Sequence, residues 1–195
     1  VKAVAMASAT NNIEGDARLS SKDGAGGVSA LAADDIALAG NYVVKVLSAS
    51  DFSAERWLKT PVQFTVPCGA TGIRVAACWS VQATADGGTP VDLDLYLDRQ
   101  GSWVSKSTSW DNNFEVVDAF PAPGNYAVQL HLSSADISFL AAGTQVAIAW
   151  WIGEGPCTAD GCDADLDGVL VRPLAQGVQI LDADQERAGR VGLRV

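Results

Sequence analysis

One histidine, one methionine and three tyrosines among 195 residues leave this chain poor in groups that move protons. The lone imidazole, His131, falls on the polar face of a strand and reads as a surface residue, and no Ser/His/Asp constellation can be argued around it. Cations are scarce as well: 13 Lys and Arg stand against 23 Asp and Glu, for a net charge of −10. Such a surplus repels phosphate backbones and anionic lipid, which argues against nucleic-acid and membrane-surface partners. No apolar run approaches the roughly 20 residues that cross a bilayer as a helix. Charged residues make up only 18% against 48% hydrophobic, which excludes a disordered chain and allows one sizeable core. The four cysteines lack paired C-x-x-C knuckles, so structural zinc is not indicated. As an even set, Cys68, Cys78, Cys157 and Cys162 read as two disulfides in an oxidising compartment, paired locally as Cys68–Cys78 and Cys157–Cys162.

What is present is alternation. In VDLDLYL, Val91, Leu93, Leu95 and Leu97 share one strand face, while Asp92, Asp94 and Tyr96 take the other, expected to meet water. Turn chemistry at Asp98–Gly101, Asp111–Asn113 and Pro121–Asn125 separates further strands, WVSKSTS, FEVVDAF and NYAVQLHL. Upstream, GIRVAACWS points Ile73, Val75, Ala77 and Trp79 inward and Arg74 and Cys78 outward. Downstream, TQVAIAWWI does the same with Val146, Ile148, Trp150 and Ile152. NYVVKVLSASDF reads as an edge strand or connector, and Pro61 within WLKTPVQFTV marks an edge position or a bulge. Short strands with regular turns predict a mainly β fold, an antiparallel β-sandwich or jelly roll.

The run DLDLYLDRQGSWVSKSTSWDNNFEVV, followed by PAPGNYAVQLHL, resembles the β-jelly-roll domain appended to many secreted bacterial subtilisin-like serine proteases. The resemblance spans roughly Trp57 to Ile152 and rests on the DLDLY strand, the S-x-S-W-D-N-N segment and the P-x-x-G-x-Y strand entry. Before it, Lys2-Ala3, Met6-Ala7-Ser8-Ala9 and Asp23-Gly24-Ala25-Gly26-Gly27-Val28 are similar to the last helical elements of such a catalytic domain, in the expected order. The resemblance implies three parts: 1–40 as the end of a catalytic domain, 41–152 as an accessory jelly roll and 153–195 as an acidic loop and tail with further strands. The family's G-T-S-x-A-x-P nucleophile segment is not in the chain, so no catalytic residue is assigned and the chain alone is expected to be inactive. Its implied setting is extracellular, with the rest of the parent protease as partner; Val1 in place of an initiator Met fits a piece of a longer protein. The competing classes are a free-standing extracellular module for protein or carbohydrate, and a purely structural cell-surface domain. Packing of Val1–Ala9 into the chain's own core favours the free-standing module; exposure favours a cut fragment.

In the N-terminal part, VKAVAMASA is apolar nearly all round and predicts a buried helix. VSALAADDIALA places Val28, Leu31, Ala32 and Ile36 on one stripe and stops at Gly40. Three further patterns point to ligands. Asp163, Asp165 and Asp167 with Gly168 form D-x-D-x-D-G, carboxylates spaced to converge on calcium, although Leu174 stands where an EF-hand needs glutamate. Asp92, Asp94, Asp111 and Asn113 are an alternative calcium set, competing with plain turn hydrogen bonding. Trp103, Trp110 and Trp151 are the tryptophans out of phase with the core, free to stack on a sugar ring or protein substrate.

Overall fold

The structure, a computed structural model, describes residues 1–10, 25–80, 90–109, 112–135, 143–155, 170–174 and 177–181. Trp110, Asp111, Cys157, Cys162, Asp163, Asp165 and Asp167 lie outside them.

Two units are formed, Val1–Cys157 and Thr158–Val195. In the first, helix α1 (Lys2–Ala7), strands β1 (Ala9–Thr10) and β2 (Gly27–Val28) and helix α2 (Ala30–Ala39) precede eight sandwich strands. These are β3 (Tyr42–Leu47), β4 (Val62–Val66), β5 (Ala70–Trp79), β6 (Val91–Arg99), β7 (Ser102–Ser107), β8 (Phe114–Ala119), β9 (Gly124–Ala135) and β10 (Thr144–Glu154). They form two antiparallel four-stranded sheets, β3-β10-β5-β8 and β4-β9-β6-β7. Successive strands thus change sheet at nearly every step, and the two sheets make an antiparallel β-sandwich. In the second unit, β11 (Leu170–Leu174) and β12 (Gly177–Leu181) pair as an antiparallel hairpin.

The alternation of β6 sets the core. Val91, Leu93, Leu95 and Leu97 are buried against Ile73, Val75, Ala77 and Trp79 of β5 and Val146, Ile148 and Trp150 of β10. Each such side chain contributes roughly 1.5–3 kcal/mol by leaving water. Trp79 fixes its ring by donating its indole N–H to the Val91 carbonyl at 2.9 Å. Both strands that sequence placed at edges, β3 and the segment after Pro61, are edge strands.

A second layer lies on the outer face of the β3-β10-β5-β8 sheet. Ala3 and Ala7 of α1 and Ile36 of α2 pack on Ala76, Cys78, Val116 and Ala149, with Met6, Phe114 and Trp151 at the margin. Arg74, outward on β5, pairs with Asp118 at 2.5 Å and donates to the carbonyls of Ala9 and Ala25. Lys2 reaches Asn113 Oδ1 at 2.8 Å and lies over the Phe114 ring. The N-terminal segment is therefore packed into this chain's own body.

The structure corrects several expectations. Asp92 and Asp94 do not meet water; both are buried, Asp94 beside the His131 ring with its Oδ2 3.3 Å from Nδ1. Cys78 is a free thiol buried beneath α1, its pKa raised to about 11 by desolvation, so the Cys68–Cys78 pairing is overturned. Of the expected helical stripe, Ala32 and Ile36 of α2 are buried, but Leu31 is 73% exposed, and Val28 lies before the helix in β2 and is 63% exposed, so the stripe is narrower than its spacing suggests. The helix does stop at Gly40, whose φ of 66° caps it in the left-handed region.

Candidate binding face

The outer face of the β4-β9-β6-β7 sheet carries the unusual side chains. Register explains which of them meet. Asp94 pairs with His131, Tyr96 with Gln129 and Asp98 with Ala127 across β6 and β9, while Lys106 and Trp103 of β7 stand opposite Tyr96 and Asp98. Paired residues share a face, so these form one surface.

Two local distortions bring tryptophans onto it. Between Leu97 and Asp98 the β6–β7 register shifts, Leu97 facing Ser105 and Asp98 facing Trp103. The extra residue, Val104, is a bulge that turns Trp103 onto the Tyr96 side. Arg56 adopts a φ of 66°, an uncommon conformation for a residue other than glycine, and its turn lays Trp57 against His131 beside β9. Ser53 closes that turn by donating its N–H to the Trp57 carbonyl at 2.7 Å.

The rings then form a cluster. Trp57 stacks on Trp103 with centroids 5.3 Å apart and planes 17° from parallel; Tyr96 meets Trp57 edge-on at 4.9 Å and Trp103 at 5.1 Å. His131 tilts under Trp57 at 4.5 Å, its Nδ1 lying 3.3 Å from Asp94 Oδ2. Trp103 remains 52% exposed. Desolvation, then the Asp94 charge, raises the pKa of the Tyr96 phenol. Further along the same face a depression of about 420 Å³ is lined by Gln63 and Thr65 of β4, Asp98, Gln100 and Asn125. It joins the ring cluster through the row Gln63, Ala127, Asp98, Trp103.

Behind the β7–β8 crossover lies Glu115, fully buried. It accepts from the Ser107 hydroxyl and from the Ser109 N–H, the latter at 2.7 Å. Desolvation pushes its carboxyl up to about 7; these hydrogen bonds pull the other way, and the charges of Asp94 and Asp92 add to the rise.

Of the residues singled out by sequence, Trp103 is on this face, whereas Trp151 sits half-buried on the opposite sheet beside α1. Asn113 engages both its polar atoms on the helix side, accepting from Lys2 and donating to the Trp79 carbonyl at 3.1 Å. Among the described residues, no group of three or more His, Cys, Asp or Glu is arranged to hold a metal ion. Neither His131 nor Trp57 is marked by the sequence as part of a site. Tyr96 and His131 were recognisable as polar-face residues of adjacent strands; the turn at Arg56 and the bulge at Val104 left no readable signal.

No family model matches the chain, and no curated protein matches it. Among solved structures, the pre-peptidase C-terminal domain of a collagenase from Bacillus anthracis is similar over 56% of this chain and 86% of that one, with 10% identity and a TM-score of 0.36. A likeness that slight bears on neither ancestry nor function. Among the described residues, no helix is long and apolar enough to cross a membrane.

Proposed function

We propose that this chain is a non-catalytic accessory domain of a secreted subtilisin-like serine endopeptidase, steadying the enzyme or holding it on its substrate. The DLDLY, SWDNN and PAPGNY segments support the family, and the half-exposed cluster of Trp57, Tyr96 and Trp103 is the observation that carries the holding role. Rings left in water on a sheet whose other face is a full core are suited to contact a partner. Asp94 on Nδ1 is an orientation a general base could use, but the ring contacts of His131 are with Trp57 and Tyr96 rather than with a nucleophile, which supports the non-catalytic reading.

A second reading, a free-standing extracellular binding module, is favoured by one specific observation: α1 and Arg74 seal the N-terminal segment onto this sandwich. The test fuses the chain behind a subtilisin catalytic domain and compares turnover of insoluble protein with that of a short soluble peptide. A gain on the insoluble substrate alone is expected; equal effects on both leave the free-standing module as the better account. Peptide hydrolysis by the purified chain would remove the non-catalytic reading altogether. The calcium expected at Asp163, Asp165 and Asp167 belongs to the same proposal. EDTA should lower the melting temperature, and an unchanged melting curve eliminates a stabilising ion.

A further inference from the structure

We infer that the outer face of the β4-β9-β6-β7 sheet is a site for a neutral polysaccharide chain, bound across the Trp57–Tyr96–Trp103 cluster and the depression beside it. The inference rests on the non-catalytic reading of this chain and adds a ligand class to it.

Three observations narrow the chemistry. The first is the pairing of surfaces: the exposed Trp103 ring, with the partly buried Trp57 and Tyr96 rings beside it, adjoins a depression lined by Gln63, Thr65, Gln100 and Asn125. A pyranose ring presents an apolar face of C–H groups and a rim of hydroxyls, each both donor and acceptor. Rings match the former; amides and hydroxyls, which also donate and accept, match the latter. The second is charge. A net −10 chain, with Asp98 in the depression and Asp94 under the rings, disfavours acidic glycans. The third is placement. Extended peptides commonly add to a free sheet edge, where backbone groups await partners. Here the depression lies across β4, β9 and β6, and β9 and β6 are internal strands whose backbone groups are engaged on both sides, so recognition there falls to side chains. A Pro-rich helix stacking on the rings is the main rival, but it makes little use of the polar side chains in the adjoining hollow.

The experiment titrates the purified chain with cellohexaose, xylohexaose and chitohexaose, reading tryptophan fluorescence and heat, with a (Pro-Pro-Gly)10 peptide as a parallel arm. At least one oligosaccharide should bind and shift the emission. Trp103→Ala should weaken it about tenfold or more, with an unchanged far-ultraviolet spectrum. Gln63→Ala/Asn125→Ala, on exposed positions, tests the hollow independently should the tryptophan variant fold poorly, and should also weaken binding. No response to any sugar at millimolar concentration, binding by the peptide alone, or sugar binding indifferent to both variants overturns the inference while leaving the accessory role intact. Cleavage of a bound sugar sinks the non-catalytic reading instead.

Discussion

Ala7→Asp lowers the melting temperature by roughly 10 °C. Ala7 is fully buried where α1 meets β5 and β10, with Ile36, Ala76 and Ala149 around it. A carboxylate there has no cation to meet it: Lys2 extends toward Asn113 and Phe114, and Arg74 is engaged with Asp118 and two carbonyls. Burying an unpaired charge costs several kcal/mol, and in a domain this size each kcal/mol is worth about 2–4 °C. Ala7→Ser, which can bond within the helix, should cost far less. If Ala7→Asp melts with the parent by differential scanning calorimetry, α1 is an ornament on the sandwich, and the case for an integral N-terminal segment fails.

Glu115→Gln changes how stability depends on pH. In the folded chain the Glu115 carboxyl keeps its proton until about pH 7, while in the unfolded chain it loses it near 4.5. Between those values the native state holds the extra proton, so raising the pH favours unfolding. The contribution is fully present below pH 4.5 and is lost as pH climbs through 7, an effect of roughly 2–3 kcal/mol. Asp51 has the opposite sign, its carboxyl lowered by the Ser48 N–H and hydroxyl, and acts only below this window. Denaturant melts at pH 5 and pH 8 should therefore show the parent weaker at pH 8 and Glu115→Gln nearly level. At pH 8 the variant should be the more stable of the two. A parent equally stable at both values contradicts the assignment.

The architecture was largely legible because burial on strands leaves a two-residue rhythm. Leu93, Leu95 and Leu97 on β6, and Val128, Leu130 and Leu132 on β9, are where alternation put them. Trp79 and Trp150, in phase with core residues, are buried as expected. Rhythm states which side chains share a face, not what covers that face. Asp92, Asp94 and Cys78 sit on the non-core faces of their strands and are buried nonetheless. Cys78 is covered by α1, an element far off in sequence. The candidate face was less visible still. Trp57 and Trp103 reach Tyr96 through a left-handed Arg56 and a one-residue bulge, neither of which carries glycine, the usual written sign of such geometry.

Tyr126 illustrates a related point. Its hydroxyl donates to the Ala122 carbonyl at 3.0 Å and accepts the Ala122 N–H at 3.1 Å, while its ring is buried against Phe64. One phenol thereby latches the Pro121–Gly124 corner onto the start of β9. Any chain, whatever its ancestry, that must swing a proline-rich corner into an internal strand gains from such a latch. The P-x-x-G-x-Y string is thus a piece of joinery before it is a mark of descent.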